Sequence, residues 1–151
     1  MKVLMVCLGN ICRSPLAEGI LQHQIHQRSL DWRVDSAGTG SWHVGERPDP
    51  RSIATARQYG IDISSQRARQ FTPADLNDYD LIFAMDSSNY RDILRQAQKA
   101  DQEAKVDLIM NLVQPGYNQN VPDPYYDSEG FEKVYQMLAE ACEKLVEKYT
   151  E

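Results

Sequence analysis

The first apolar run of the chain covers residues 2–7 and reads Lys-Val-Leu-Met-Val-Cys before Gly9 and Asn10 interrupt it. A continuous run of this length is typical of a strand that is buried on both faces of a parallel sheet. Ser14 and Pro15 then predict a helix start, with serine as N-cap and proline at the first helical position. The helix has an apolar stripe at Leu16, Ala17, Ile20, Leu21 and Ile25.

Three later runs are predicted to be strands, over residues 32–37, 79–85 and 106–110. They alternate with stretches of helical periodicity, which favours parallel pairing through right-handed crossovers. The predicted fold class is therefore α/β: a single domain over residues 1–151 with a doubly wound open sheet of about four parallel strands. Helices cover both faces of the sheet, in a flavodoxin-like three-layer sandwich.

The later helices are marked by caps and apolar stripes. Asp49 and Pro50 predict a helix start and Gly60 its end, and residues 86–88 offer caps for the next helix. The last helix is predicted from Asp127, with helical spacing over about five turns. Its apolar positions are Phe131, Val134, Tyr135, Leu138, Cys142, Leu145, Val146 and Tyr149.

Charge and cysteine content narrow the possible partners and compartment. The chain carries 16 Lys and Arg against 22 Asp and Glu, a net charge of −6, so nucleic acid and anionic membranes are poor partner candidates. Three cysteines do not form a disulfide framework in a chain of this length and favour a reducing compartment. With no leader and no spanning segment in the sequence, a cytoplasmic protein is expected.

The segment between the first strand and the first helix carries the candidate chemistry. Ligands of doubly wound sheets bind beyond the carboxyl ends of the strands, where the strand order reverses, and Cys7 is expected there. Gly9 and Asn10 tolerate the backbone angles that turn successive N–H groups inward, and the following helix directs its positive end to the same place. Arg13 adds a planar fork for two phosphate oxygens. The predicted phosphate-binding loop consists of Leu8, Gly9, Asn10, Ile11, Cys12, Arg13 and Ser14.

Cys7 is the candidate nucleophile of this loop. The field of the helix should favour its thiolate form, and the Ser14 hydroxyl can donate to the sulfur. The alternative is a small buried residue at a strand end, since free cysteines are often buried. A nucleotide-binding Walker loop is disfavoured because Arg13 stands where that motif needs lysine. Asp123, between two prolines, is the candidate proton donor for a leaving group, the alternative being a plain Asp-Pro turn.

Residues 7–14 and Asp123-Pro124 together closely resemble the low molecular weight protein tyrosine phosphatases. Residues 35–39, 68–70 and 84–86 extend the resemblance over nearly the whole chain. It implies that Cys7 attacks phosphorus, that Arg13 and the loop amides hold the equatorial oxygens, and that Asp123 protonates the departing phenolate and then activates water. It also implies an Asn10–Ser36 hydrogen bond that shapes the loop, and neither a metal nor an organic cofactor. Gln66 stands where the family usually has a bracing histidine, and it can replace the hydrogen bond but not a titrating charge.

The resemblance implies a phosphotyrosine-containing protein as substrate. Trp42, Tyr125 and Tyr126 resemble the aromatic walls that grip a phenyl ring, and His43 is placed at the rim of the same cleft. Ile11 favours phosphotyrosine over phosphoarginine, because similar phosphoarginine phosphatases have a smaller hydroxyl-bearing residue there. A phosphoarginine phosphatase, a phosphocysteine carrier and an arsenate reductase on this fold remain as alternatives. The protein is expected to be a monomer or a weak dimer that binds neither nucleic acid nor membrane.

Overall fold

The computed structural model describes residues 1–150 and is built around a four-stranded parallel sheet. The strands are β1 (Lys2–Cys7), β2 (Arg33–Gly38), β3 (Leu81–Ala84) and β4 (Val106–Leu108). They lie in the order β2-β1-β3-β4, and each adjacent pair is parallel. The predicted doubly wound α/β fold is confirmed. Because β2 and β3 lie on opposite sides of β1, the strand order reverses between β1 and β3, and a crevice opens at their carboxyl ends.

Within residues 1–150, six helices connect and cover the strands. They are α1 (Arg13–Gln27), α2 (Pro50–Arg57), α3 (Asp75–Asp78), α4 (Ser87–Leu94), α5 (Ala100–Glu103) and α6 (Gly130–Tyr149), with 3₁₀ turns at Ile109–Leu112 and Pro124–Tyr126. Between residues 1 and 150, no helix has both the length and the apolar content to cross a membrane.

The side chains of β1 alternate between two apolar layers, which is why the strand is buried from Val3 to Cys7. Val3 and Met5 pack in the layer that also contains the apolar faces of α1 and α6. Leu4 and Val6 face the opposite layer, where Leu76 of α3 and Ile93 of α4 also lie. This double burial fixes β1 in the middle of the molecule and places its end, Cys7, beneath the crevice.

The first helix begins two residues earlier than the sequence predicts. It starts at Arg13 with Cys12 as N-cap, and no side chain caps it. The prediction of Ser14 as N-cap is therefore wrong. The Ser14 hydroxyl is not available to cap a backbone N–H, because it is hydrogen-bonded to Cys7 and Asn10.

Strand bounds differ from prediction mainly where a pairing partner ends. The predicted fourth strand continues to residue 110, but β4 stops at Leu108 because its partner β3 stops at Ala84. Residues 109–112 instead form a 3₁₀ turn that buries Ile109 and Met110 in the core. β2 is shifted by one residue from the predicted 32–37, and β3 is shorter than the predicted 79–85.

Two helix ends also differ from the predicted positions. α2 ends at Arg57, three residues before Gly60, whose positive φ of 77° belongs to the turn that follows. α6 begins at Gly130 rather than Asp127. Residues 127–129 are held outside the helix because the Asp127 side chain accepts a hydrogen bond from the Glu129 amide.

Candidate active site

The loop at residues 8–12 forms a bowl whose carbonyl groups point outward. Four of its peptide carbonyls, those of Cys7, Leu8, Ile11 and Cys12, accept hydrogen bonds from segments that surround the loop. The donors are the backbone amides of Thr39, Gly40 and Asp49 and the hydroxyl of Ser52. Because the N–H of a trans peptide points away from its C=O, the amides of the same peptide units are turned toward the inside of the bowl. The loop can therefore bind an anion.

The sulfur of Cys7 lies at the floor of this bowl and accepts hydrogen bonds. The Asn10 amide donates to Sγ at 3.3 Å, and Ser14 Oγ lies 3.0 Å from the same atom. Since Asn10 Nδ2 already donates to Ser14 Oγ at 2.8 Å, the serine proton is free to point at the sulfur. Both contacts direct a hydrogen-bond donor at the sulfur.

Asn10 holds the loop in shape through its side chain and its backbone. Its φ is +58°, a left-handed conformation that asparagine tolerates better than most residues. Nδ2 donates to Ser36 Oγ at 3.0 Å, the bond that the family resemblance implies. Oδ1 accepts from the Arg69 amide at 3.0 Å. The end of β2 and the segment before α3 therefore both brace the phosphate loop.

Arg13 is almost completely buried, at 2% exposed, and its charge is compensated locally. Nη1 donates to Asp86 Oδ2 at 2.7 Å and to the Val121 carbonyl at 3.0 Å. Burial by itself would lower the pKa of Arg13, but Cys7 and Asp86 outweigh it and raise the pKa above its ordinary value. The guanidinium therefore stays charged. Nη1 is held by its two hydrogen bonds, and the other edge of the guanidinium faces the bowl.

The predicted proton donor reaches the same bowl from the opposite side. Asp123 Oδ2 lies 3.6 Å from Arg13 Nη2, while its Oδ1 accepts from the Tyr125 amide at 3.0 Å. The carboxylate side chain is 39% exposed, so it can exchange protons with solvent. The structure thus brings Cys7, Arg13 and Asp123 to one place, although Asp123 is distant from the other two in sequence.

A cleft of about 360 Å³ rises above the bowl. Trp42 is 70% exposed and Tyr126 is 92% exposed, so neither is a core residue. Tyr125 packs edge-on against Tyr126, with ring centroids 5.0 Å apart. The cleft is lined by Cys7, Leu8, Gly9, Ile11, Cys12, Arg13, Trp42, His43, Asp123, Tyr125 and Tyr126.

The other two cysteines lie in apolar or negatively charged surroundings. Burial raises the pKa of Cys12 well above its usual range, and the neighbouring Asp49 raises it further. Burial alone raises the pKa of Cys142 to about 12, and this thiol packs between α6 and α1 with Sγ 3.8 Å from the Ala17 carbonyl. Both of these thiols are therefore protonated at neutral pH.

Gln66 contacts the helix that follows the loop rather than the loop itself. Its Nε2 donates to the Pro15 carbonyl at 3.1 Å, and its Oε1 is buried with no hydrogen-bond partner among residues 1–150. The side chain therefore supports the first turn of α1 through one hydrogen bond.

Comparison with known proteins identifies the family. A sequence model described as low molecular weight phosphotyrosine protein phosphatase matches residues 2–151. The chain belongs to this family. The low molecular weight phosphotyrosine protein phosphatase of Schizosaccharomyces pombe is 44% identical to it over 143 residues, covering 92% of this chain and 90% of the yeast protein.

Solved structures of such phosphatases share the whole fold. A protein tyrosine phosphatase from Entamoeba histolytica superposes with a TM-score of 0.91 at 36% identity, covering 98% of this chain and 96% of that chain. A Drosophila arginine phosphatase superposes with a TM-score of 0.92 at 36% identity, covering 100% and 99%. Since tyrosine and arginine phosphatases share the fold, the cleft and not the fold distinguishes their substrates.

Several residues that shape this phosphatase site were not indicated as such by the sequence. Asp86, the partner of Arg13, reads in the sequence as a helix cap within a segment that resembles the family, and it does accept from the Asn89 amide at 2.9 Å. Asp86 can also bind Arg13 because it follows the end of β3, the strand that pairs with β1. Arg69 lies in a segment that resembles the family, but its contact with Asn10 is made by a backbone amide, which carries no sequence signal.

A carboxyl group lies behind the phosphate loop of this phosphatase, also without a signal in the sequence. Glu18 Oε1 accepts from Ser36 Oγ at 2.6 Å, and Ser36 in turn accepts from Asn10. Burial raises the pKa of Glu18 to about 7, and Asp35 adds to the increase while Ser36 and Arg69 oppose it. The ionisation of Glu18 therefore falls near neutral pH.

The Glu18→Gln variant is expected to lose less stability than the parent protein between pH 5 and pH 8. Unfolded Glu18 ionises near its ordinary value of 4.5, and the folded form near 7, so the parent loses stability as the pH rises through this interval. The difference between the two pKa values corresponds to at most about 3 kcal/mol in the free energy of unfolding. Glutamine does not ionise, so the variant lacks this pH-dependent loss, but its side-chain oxygen still accepts from Ser36. Urea denaturation at both pH values measures the difference, with the exposed Glu140→Gln as control. An unchanged pH dependence in Glu18→Gln would contradict this assignment.

Proposed function

We propose that this protein is a protein tyrosine phosphatase that hydrolyses phosphotyrosine in proteins, and small aryl phosphates, through a cysteinyl-phosphate intermediate. The observation that carries the proposal is the position of the Cys7 sulfur, hydrogen-bonded by Asn10 and Ser14, at the floor of a bowl that Arg13 and Asp123 border. A thiolate, a cation and a carboxyl group around one anion-binding loop are the groups that phosphate ester cleavage needs.

In the first step, the Cys7 thiolate attacks phosphorus in line with the bond to the leaving oxygen. Arg13 and the loop amides bind the three equatorial oxygens, where charge is distributed in the transition state. The bond between phosphorus and the phenolic oxygen breaks, and Asp123 gives its proton to that oxygen. The products are a neutral phenol, a cysteinyl-phosphate and an ionised Asp123.

In the second step, water replaces the sulfur on phosphorus. Asp123 takes a proton from the water, whose oxygen forms the new bond to phosphorus while the bond to sulfur breaks. Ser14 donates to the departing thiolate, which lowers the free energy of the leaving group. Inorganic phosphate leaves, and Cys7 and Asp123 return to their initial protonation states.

The shape of the cleft supports an aromatic ester as substrate. Exposed aromatic rings at Trp42, Tyr125 and Tyr126 can contact a phenyl ring, and such pairs contribute about 0.5–1.5 kcal/mol beyond area burial. Ile11 lines the cleft, and its aliphatic side chain offers no hydrogen bond to a guanidinium. Hydrolysis of matched phosphotyrosine, phosphoserine and phosphoarginine peptides at equal concentration tests this preference, and a preference for phosphoarginine would overturn it.

Two alternatives on the same fold agree less well with the described residues. An arsenate reductase needs further cysteines near the site to relay a disulfide, but only Cys12 lines the cleft beside Cys7, and Cys142 packs between α6 and α1. A phosphocysteine carrier has no use for a carboxyl group that activates water, as we propose for Asp123. Turnover of p-nitrophenyl phosphate separates the classes, because a carrier releases only one equivalent of phenol.

We infer that the partners are phosphotyrosine-containing proteins of the cytoplasm. We also infer that this protein acts as a monomer or a weak dimer. Three unpaired cysteines, all buried, support a reducing compartment. The net charge of −6 argues against nucleic acid and anionic membranes as partners.

The Asp123→Ala variant is expected to lose activity in proportion to the basicity of the leaving group. The kcat/KM for phenyl phosphate should fall by about 10²–10³-fold, because its phenolate needs a proton in the transition state. The more acidic p-nitrophenol leaves more readily without this proton, so the fall in kcat/KM for p-nitrophenyl phosphate should be clearly smaller. Steady-state kinetics over a series of substituted phenyl phosphates measures the slope, and an equal loss across the series would argue against Asp123 as the acid.

A further inference from the structure

We propose that Arg51, at the start of α2, is a positioning residue for phosphoryl transfer that holds the Asp123 loop, residues 121–128, in register with the phosphate loop. The inference rests on the proposed function, since it assigns Arg51 an effect that acts through the Asp123 carboxyl group. It goes beyond that function because Arg51 does not line the cleft and was not a candidate in the sequence.

The first turn of α2 is attached to the phosphate loop by two hydrogen bonds. The Asp49 amide donates to the Ile11 carbonyl at 2.8 Å, and Ser52 Oγ donates to the Cys12 carbonyl at 2.9 Å. These bonds fix the backbone around Arg51 relative to the bowl that contains Cys7. Any group that Arg51 holds is thereby positioned with respect to the nucleophile.

The guanidinium of Arg51 is itself oriented by a bidentate ion pair. Nε and Nη2 donate to the two carboxylate oxygens of Asp49 at 3.0 and 2.9 Å, and the Asp49 side chain is only 10% exposed. The hydrogen bond from Arg51 lowers the pKa of Asp49, so the pair stays ionised at neutral pH. The guanidinium plane also lies over the Phe131 ring, 4.8 Å from its centroid, at the start of α6.

The remaining donors of Arg51 reach the Asp123 loop. Nη2 donates to the Tyr125 carbonyl and Nη1 to Ser128 Oγ, both at 3.0 Å. The guanidinium carbon lies 5.7 Å from the centroid of the Tyr125 ring. Tyr125 is two residues from Asp123, and its amide donates to the Asp123 carboxylate. Arg51 therefore holds the residue that orients the proposed acid.

The other side of the Asp123 loop is anchored independently. The Val121 amide donates to the Met85 carbonyl at 2.8 Å, and the Val121 carbonyl accepts from Arg13. Asp123 thus lies between an anchor at Val121 and an anchor at Tyr125. Removing Arg51 releases the second anchor and leaves the first, so the carboxyl group should lose its position while the phosphate loop keeps its own.

Arginine is required at this position because one planar group makes four hydrogen bonds and two ring contacts. A lysine ammonium has no bidentate geometry and cannot reach the Asp49, Tyr125 and Ser128 acceptors at once. Arg51→Lys should therefore behave like Arg51→Met in its effect on proton donation, although it keeps the charge.

The test measures the phosphorylation step of Arg51→Met and Arg51→Lys with two substrates. With phenyl phosphate, we expect a loss of about 10- to 100-fold, since a misplacement near 1 Å can cost about 100-fold. With p-nitrophenyl phosphate, the loss should be several times smaller. Affinity for inorganic phosphate should change by less than about threefold, because Cys7, Arg13 and the loop amides are retained. Arg57→Met, exposed in the last turn of the same helix, is the matched control and should behave like the parent.

A double variant separates positioning from a general structural role. In the Asp123→Ala background, Arg51→Met should cause little further loss with phenyl phosphate, because the group that it positions is already absent. A full additional loss there, an equal loss on both substrates, or a loss of phosphate affinity would overturn the inference. Should Arg51→Met fail to fold, Arg51→Lys is subject to the same criteria.

Asp123→Ala alone distinguishes a failure of the proposed function from a failure of the positioning role of Arg51. If that variant shows no dependence on the leaving group, the proposed function of Asp123 has failed. If it shows the dependence but Arg51→Met and Arg51→Lys do not, the proposed function stands and only the positioning role is wrong.

Discussion

Replacement of Cys7 by serine is expected to abolish turnover, with a loss of at least about 10⁴-fold in kcat, while binding of inorganic phosphate survives. Serine is close to cysteine in size, so the bowl keeps its shape. Its hydroxyl is protonated at neutral pH, and the hydrogen-bond partners of the sulfur, Ser14 and the Asn10 amide, are donors rather than bases. The variant therefore has an anion site without a nucleophile.

Steady-state kinetics with p-nitrophenyl phosphate and calorimetric titration with phosphate check the two halves of this expectation. Rapid quenching followed by mass spectrometry should detect a phosphorylated peptide containing Cys7 in the parent and none in Cys7→Ser. Cys142→Ala is the control, because this buried thiol lies between α6 and α1 and should be dispensable for turnover. Substantial turnover by Cys7→Ser, or a phosphoryl group on another residue, would contradict the mechanism.

Arg13→Lys should lower kcat/KM by about 10²–10³-fold although the charge is kept. The planar guanidinium donates through Nη1 to Asp86 and Val121 while presenting its other edge to the bowl. A lysine ammonium can form the ion pair with Asp86 or reach the phosphate, but it cannot donate to both in a fixed plane. Removal of the fork also leaves the Val121 carbonyl without its donor, which loosens one anchor of the Asp123 loop.

The measurement for Arg13→Lys is kcat/KM together with phosphate affinity, both of which should fall. Arg91→Lys, an exposed position on α4, is the control for the same chemical change outside the cleft. Near-parental rates in Arg13→Lys would show that bidentate binding of the phosphate is not needed, and the proposed role of Arg13 would be wrong.

The fold was predictable to the extent that its signals are local. The continuous apolar run at residues 2–7 specifies a doubly buried strand, and the alternation of strands with helices specifies parallel pairing. Errors lie at element ends, where pairing partners decide: β4 stops at Leu108 because β3 stops at Ala84. Ser14 has the residue type of an N-cap, but its hydroxyl makes tertiary contacts instead.

By itself, the sequence determined the centre of the candidate site, because Cys7, Arg13 and Ser14 lie within one strand-loop-helix unit whose geometry is largely local. Only the tertiary structure decided what surrounds this unit. Asp86 and Arg13 are 73 residues apart, and Tyr125 and Arg51 are 74 apart. Such contacts depend on the order of the strands and on how the loops at their carboxyl ends meet. No periodicity or residue spacing encodes a hydrogen bond between groups that only the folded sheet brings together.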